Sequence, residues 1–279
     1  MKKMAGTDGR NNISRMYFLR ILASLTFFTR LPFWRLANIP RECYEHVVPF
    51  WPLAGWITGG AMALVCWCAL WLELPVALAV VLSLCARMVA TGALHEDGWA
   101  DVCDGFGGGT SRERVLEIMK DSHIGSYGVL GLIVYFLLMT LSLSSMPPTL
   151  LPFIMLCGDV WAKWTSSNIV NILPYARDLN GAKNGVVYRR MNLLEAFSCV
   201  LFATLPVGLC IALGVALHAV VIAMCLSGFS AAVFFLLMKR KIGGYTGDCC
   251  GAVCLLSEMV FHLALLTVVG ISSPFAIPA

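Results

Sequence analysis

Apolar residues in this chain fall in long, nearly unbroken runs rather than in the alternation of a half-buried strand or the narrow stripe of a water-facing helix. A helix that crosses a bilayer needs about 20 such residues. Runs of that order lie at about 47–72, 74–94, 124–146 and 150–171. The stretch 193–238 is too long for one crossing and divides into two near 214–218, and a last run covers about 249–271. In lipid each backbone amide must be satisfied within its own segment, so these runs fold as helices. The pattern predicts an all-α, polytopic integral membrane protein with about seven transmembrane helices. Segment 17–34 is shorter and interrupted by Arg20 and Arg30. It reads as an N-terminal interfacial or re-entrant helix, because a crossing would strand the basic residues Lys2, Lys3, Arg10 and Arg15 on the far side. An eight-span arrangement is the alternative.

Composition agrees with the pattern. Of the 279 residues, 59% are hydrophobic and only 13% charged, against roughly 45–50% and 25% in soluble domains. Such a chain lacks the polar surface to face water throughout, so the lipid bilayer is its first partner, and nothing calls for nucleic acid. Twelve cysteines include no CxxC pair, and most sit inside apolar runs, as small hydrophobes rather than disulfide or zinc ligands. The N-terminus lacks the pattern of a cleaved signal. Charge is placed asymmetrically. Loops carrying Arg35 and Arg41, then Arg112, Arg114 and Lys120, then Arg177, Lys183, Arg189 and Arg190, then Lys239, Arg240 and Lys241 alternate with loops that have neither Lys nor Arg. The positive-inside rule puts the basic loops and the N-terminus in the cytoplasm and the C-terminus outside.

One segment breaks the apolar monotony. Between residues 96 and 121 lie Glu96, Asp97, Asp101, Asp104, Glu113, Glu117 and Asp121. On a helix, Asp97, Asp101 and Asp104 stand at i, i+4 and i+7 and share a face. Like charges on one face repel, and a bound cation is the usual compensation. All-oxygen ligands suit Mg²⁺, with Mn²⁺ as the alternative, rather than zinc. Asp248, flanked by glycines at the entry of the last span, is the candidate that completes the site. Gly107 and Gly108 are candidates to bring backbone close to phosphate oxygens. Glu113 and Glu117, interleaved with Arg112 and Arg114, read instead as an exposed helix with ion pairs. At membrane depth, Asp159 and Lys163 stand i, i+4 and either pair with each other or serve the site.

These residues, in this order, resemble the cobalamin-5′-phosphate synthase family, also called adenosylcobinamide-GDP ribazoletransferases. The longest matching stretch runs over 91–108 and holds His95, Glu96, Asp97, Gly98, Asp101, Asp104, Gly105, Gly107 and Gly108, followed by Lys120, Asp121 and Ser122. Shorter matches are Phe28-Thr29-Arg30-Leu31-Pro32, Pro174-Tyr175-Ala176-Arg177 with Gly181, and Gly243-Gly244-Tyr245-Thr246-Gly247-Asp248. His123 departs from the arginine expected at its position. The resemblance implies a bacterial inner-membrane enzyme, multi-pass, magnesium-dependent, with its site facing the cytoplasm. It implies the final step of nucleotide-loop assembly in cobalamin (vitamin B12) synthesis: transfer of the cobinamide phosphate of adenosylcobinamide-GDP to α-ribazole or α-ribazole 5′-phosphate, with release of GMP. On that basis residues 1–15 are a flexible cytoplasmic tail and 16–279 one membrane-embedded catalytic domain, with the site at 95–125. A homo-oligomer and association with other enzymes of the pathway are further expected partners.

The residue types suit the chemistry. Phosphoryl transfer is mainly positioning and neutralisation of oxygen charge. Asp97, Asp101, Asp104 and Asp248 are the expected metal ligands. Arg30, Lys120 and Arg177 are expected at the phosphates, and His95, Glu96 or Asp121 as the general base. Two other classes compete. A CDP-alcohol phosphotransferase shares Asp101-Val102-Cys103-Asp104-Gly105 but would need Ala-Arg where Gly108 and Gly109 stand. A cation transporter would place its carboxylates at mid-span.

Overall fold

In the computed structural model, residues 5–177 and 186–272 are described, and Lys2, Lys3, Gly181 and Lys183 lie outside them. A first helix, α1 (Ala5–Phe28), leads through three short 3-10 turns to α2 (Trp51–Trp71) and α3 (Val76–Thr91). After these come α4 (Leu94–Gly108), α5 (Arg112–Ile118), α6 (Ser126–Ser144), α7 (Leu151–Ile172), α8 (Leu193–Ala212), α9 (Leu217–Ile242) and α10 (Gly247–Ser272). Among the described residues the one strand-like pairing is an isolated bridge between Tyr175 and Tyr245.

Each of the seven apolar runs holds a long helix, namely α2, α3, α6, α7, α8, α9 and α10. Among the described residues, five helices are long and apolar enough to cross a membrane on their own, α2 with its preceding turn, α6, α8, α9 and α10; the pair α3 and α4, bent by 92°, makes a sixth if it is one span. The α7 helix has the length but is more polar, and most of its 22 residues are buried, Asp159, Lys163, Thr165, Ser166 and Ser167 among them. It is a central helix whose polar groups face protein rather than lipid. Large apolar side chains on α6, α8 and α9, such as Leu130, Leu137, Phe197, Leu205, Phe229 and Leu236, point outward and are exposed. They form the lipid-facing belt. The α1 helix lacks the apolarity of a crossing and begins at Ala5, so it runs through residues expected as a tail.

Lipid is as apolar as leucine, so helices in a bilayer associate through close packing and small residues. Gly55 and Gly59 of α2, four apart, do this against α7: a Cβ at Gly55 would lie 2.8 Å from the Val160 backbone, and one at Gly59 3.2 Å from that of Leu156. The bend between α3 and α4 is made by two consecutive left-handed residues, Gly92 (φ 69°) and Ala93 (φ 58°). Gly92 also admits the guanidinium of Arg30, whose Nε would stand 2.2 Å from any Cβ there. The same corner is closed by the Arg30 amide, which donates to the Ala90 carbonyl at 2.7 Å.

The basic loops converge on one end of the bundle. Arg112 donates to the carbonyls of Ile242 (3.0 Å) and Ala176 (2.7 Å), and Lys241 to that of Phe106 (3.3 Å). The start of α10 is fixed there as well: Ala176 donates to the Tyr245 carbonyl and Tyr245 to that of Pro174. Gly244 permits the crossing, since a Cβ would lie 2.2 Å from the Pro174 oxygen.

Candidate active site

The acidic end of α4 meets the first turn of α10. Carboxylate oxygens of Asp97, Asp101 and Asp248 all lie within 4.8 Å of one another. Asp97 and Asp101 are one helical turn apart, and Asp248 joins them because the two helices touch through Gly98. A Cβ on Gly98 would sit 2.6 Å from the Asp248 carbonyl oxygen and 3.0 Å from its Cα. The Arg177 guanidinium stands 3.9 Å from the Asp248 carboxylate and also donates to the Leu116 carbonyl. Three converging carboxylates, partly exposed, with no thiolate or imidazole among them, have the donor chemistry of a hard divalent cation such as Mg²⁺. Beside them Arg177 and the N-terminal end of α10 favour anionic oxygens.

The acidic cluster opens on a cavity of about 650 Å³. Asp97, Asp248 and Arg177 lie together on its lining, which also holds Arg41, Lys163 and Ser166. Much of the remaining wall is aromatic: Phe27, Phe28, Tyr44, Trp51, Tyr175 and Tyr188. His95 lines it too, 2% exposed, with its ring stacked on Phe28 at 5.7 Å.

Behind the cavity lies an ionic network whose extent the sequence reading missed. Arg87 of α3 donates to Glu96 of α4 at 3.0 Å, to the Tyr135 hydroxyl of α6 at 2.7 Å and to Glu258 of α10. Its guanidinium is 3.7 Å from Asp159 of α7, which pairs with Lys163 through both oxygens at 2.7 Å and accepts from Thr58 of α2 at 2.5 Å. Asp159 and Lys163 thus pair with each other, and Lys163 also lines the cavity. Arg87, Glu96, Asp159, Lys163 and Glu258 are each buried. The signal was present as charges inside apolar runs, which rarely lie there without purpose.

Several expected site residues are engaged elsewhere. Asp104 is not among the converging carboxylates: it is buried, and its oxygens accept from the amides of Gly125 (2.7 Å) and Gly128 (2.8 Å) at the start of α6. The i+7 spacing kept it on the same side of α4 but about 10 Å along the axis from Asp97, where the free amides of α6 claim it. Glu96 faces Arg87 and not the cavity. Gly107 and Gly108 end α4, where helix carbonyls rather than amides are unsatisfied, so they offer phosphate no cradle. Gly107 instead allows the Tyr127 ring to approach, within 2.6 Å of where a Cβ would be.

Lys120 and Asp121 line a separate, more open groove of about 520 Å³, together with Asp104, Gly108, Arg114 and His123. Asp121 accepts from the His123 amide at 3.0 Å and lies 2.8 Å from its Nδ1. These bonds, the backbone one first, hold its carboxyl below the ordinary range. Arg30 packs over Gly92 at the α3–α4 corner. Glu117 pairs with Arg114 at 2.6 Å, in keeping with an exposed, ion-paired helix.

Comparison with known proteins meets this geometry. A family model described as cobalamin-5-phosphate synthase matches residues 20–266. A protein of Leptothrix cholodnii named adenosylcobinamide-GDP ribazoletransferase is 35% identical over 262 residues, covering 91% of this chain and 95% of the relative. Relatives of the same name from Shewanella frigidimarina (34% over 251 residues; 88% and 93% covered) and Leptospira interrogans (30% over 250; 88% and 94%) match in the same way. No solved structure matches the chain.

Proposed function

The chain belongs to the cobalamin-5-phosphate synthase family and acts at the final step of cobalamin nucleotide-loop assembly, and from that premise we propose how its own residues carry out the transfer. The substrates are adenosylcobinamide-GDP and α-ribazole or its 5′-phosphate. A ribazole hydroxyl attacks the phosphorus on the cobinamide side of the diphosphate. The bond from that phosphorus to the bridging oxygen breaks, and GMP leaves with the oxygen. Asp97, Asp101 and Asp248 would hold Mg²⁺, or Mn²⁺ in its place, and that ion would supply neutralisation of the charge on the diphosphate oxygens.

The remaining work falls to the protein. Arg177, 3.9 Å from Asp248, is aligned to bind the diphosphate and the departing GMP. His95 takes the proton of the attacking hydroxyl. It lines the cavity beside Asp97, and its Nε2 has no hydrogen-bond partner among the described residues. The other base candidates are poorly disposed for that role: Glu96 is tied to Arg87, and Asp121 lies in the separate groove with its basicity lowered. The protein is a multi-pass membrane protein. The gathering of Arg112, Arg177 and Lys241 at the end that holds the acidic cluster supports an inner-membrane orientation with the site toward the cytoplasm.

The observation that carries this reading is the convergence of Asp97, Asp101 and Asp248 beside Arg177 and the cavity. The test is GMP release by the purified enzyme from adenosylcobinamide-GDP and α-ribazole. Release should stop on chelation and return with added Mg²⁺. Undiminished turnover after thorough chelation would remove the cation from the mechanism, and no cobalamin product under any condition would remove the activity.

A further inference from the structure

The aromatic cavity offers more than space beside the acidic cluster. Its wall is a continuous set of rings. Phe28 meets Trp51 edge-on at 5.3 Å, Trp51 meets Tyr188 at 5.5 Å, and Tyr188 meets Phe27 at 5.8 Å. These rings come from the end of α1, the start of α2 and the segment before α8. Polar groups buried in such a wall normally have partners, yet on three of the lining residues they do not. The Trp51 indole N–H, the His95 Nε2 and the Thr26 hydroxyl have none among the described residues, and Trp51 and His95 are 1% and 2% exposed. Each of these atoms has almost no exposed surface of its own, so a small side-chain rotation brings it to a ligand that stacks on the rings, accepts one hydrogen bond and carries hydroxyls near the carboxylates.

We infer that this cavity is the seat of the acceptor nucleoside, its fused benzene–imidazole base against the Phe27, Phe28, Trp51 and Tyr188 wall and its ribose toward His95 and Asp97. The inference rests on the transferase reading and deepens it. The base has an apolar benzene half and, once joined to ribose, one free imine nitrogen, which accepts from the Trp51 N–H. Guanine, the other aromatic group in the reaction, carries two adjacent N–H donors that need paired buried acceptors. The carboxylates on this lining that face the cavity belong to the acidic cluster. The corrin exceeds the drug-sized ligands that cavities of this volume enclose.

The experiment uses the full chain in lipid nanodiscs, with each substrate varied in turn. Trp51→Phe keeps a ring and removes the N–H, and Tyr188→Ala removes part of the wall. Each should raise KM for α-ribazole about tenfold, the loss expected for one stacking or buried hydrogen-bond contact. KM for adenosylcobinamide-GDP and kcat should stay within about twofold, on the same scale of contact energies. Free 5,6-dimethylbenzimidazole should inhibit competitively with α-ribazole, and more weakly in Trp51→Phe. A rise in KM for adenosylcobinamide-GDP alone would put guanine in the cavity and overturn the inference. So would unchanged KM values for both substrates in variants that melt at the wild-type temperature. Because wild-type activity is measured first, failure of the transferase reading itself appears as absent product and cannot be confused with either result.

Discussion

Arg87 donates to the Glu96 carboxylate at 3.0 Å across a 92° bend, so the last turns of α3 hold the first turn of α4 in place. Asp97 follows directly, and its direction depends on that hold. The bend also rests on backbone bonds, Arg30 N–H to the Ala90 carbonyl and Ala93 N–H to the Met88 carbonyl, and it needs such support because Ala93 occupies the left-handed region (φ 58°), where a side chain is strained. The same guanidinium reaches Glu258, so α10, which brings Asp248, is tied to the same point. Removing one partner of a buried ion cluster leaves uncompensated charge and costs about 3–5 kcal/mol. Arg87→Met should therefore lower the melting temperature in detergent sharply. The double variant Arg87→Met, Glu258→Gln should recover part of the loss, because it removes one of the stranded charges. A single variant as stable as wild type would mean that the network is not what secures the corner.

Asp104 and Asp101 should behave differently when replaced by asparagine. Asp101 lies in the acidic cluster, and Asp101→Asn should cut turnover by about 100-fold or more without changing the melting temperature, as loss of a charge-stabilising group at a reacting centre does. Asp104 accepts two amides at the start of α6. Charge-assisted bonds of this kind contribute about 1.5–3 kcal/mol each, and asparagine retains only part of that. Asp104→Asn should lose stability first, with turnover falling only as the folded fraction falls. Equal losses of turnover at equal stability in the two variants would return Asp104 to the cation site. Both variants are read by GMP release and thermal melting.

The division between what the sequence revealed and what it hid follows distance along the chain. Asp97 and Asp101 were legible because helical spacing alone places them together, and Asp248 because glycines flank it at a span end. The helices were legible because lipid leaves the backbone no other solution. The place of Asp104 was not legible, because its amide partners depend on where α6 starts, which spacing within α4 does not encode. The corner at Ala93 was invisible, since alanine is no turn signal and rarely takes the left-handed region. The Arg87–Glu258 contact joins residues 171 apart, and the cavity wall draws Phe28, Trp51 and Tyr188 from three separate segments. Neither has a local signature.

Asp121 should prove dispensable for the chemistry. It borders the open groove rather than the aromatic cavity, and the His123 amide and ring hold its carboxyl below the ordinary range. A depressed carboxyl stays ionised, and keeps these bonds, above its unfolded-state value; it gives them up only as pH falls through the lowered one. An acidic limb of the rate profile near neutrality therefore cannot come from Asp121. Asp121→Asn should leave that limb in place and kcat within about twofold, a change too small for the loss of a general base, which is typically at least 100-fold. A lost or shifted limb in the variant would restore Asp121 as a base.

Gly98 offers a test that leaves every polar group of the site untouched. Alanine is the better helix former by up to about 1 kcal/mol, so α4 alone would gain from the change. The added Cβ, however, would lie 2.6 Å from the Asp248 carbonyl oxygen and 3.0 Å from its Cα. Both are backbone atoms that no rotamer change can move. Relief requires α10 to back away from α4, which carries the Asp248 carboxylate off Asp97 and Asp101. Gly98→Ala should thus fold, keep its ionic network and lose at least tenfold in kcat/KM, as displacements of about 1 Å at a reacting centre do. The Mg²⁺ concentration for half-maximal activity should rise in parallel, because the carboxylates no longer converge. Full activity at wild-type Mg²⁺ dependence would show that the two helices do not meet through Gly98 as described.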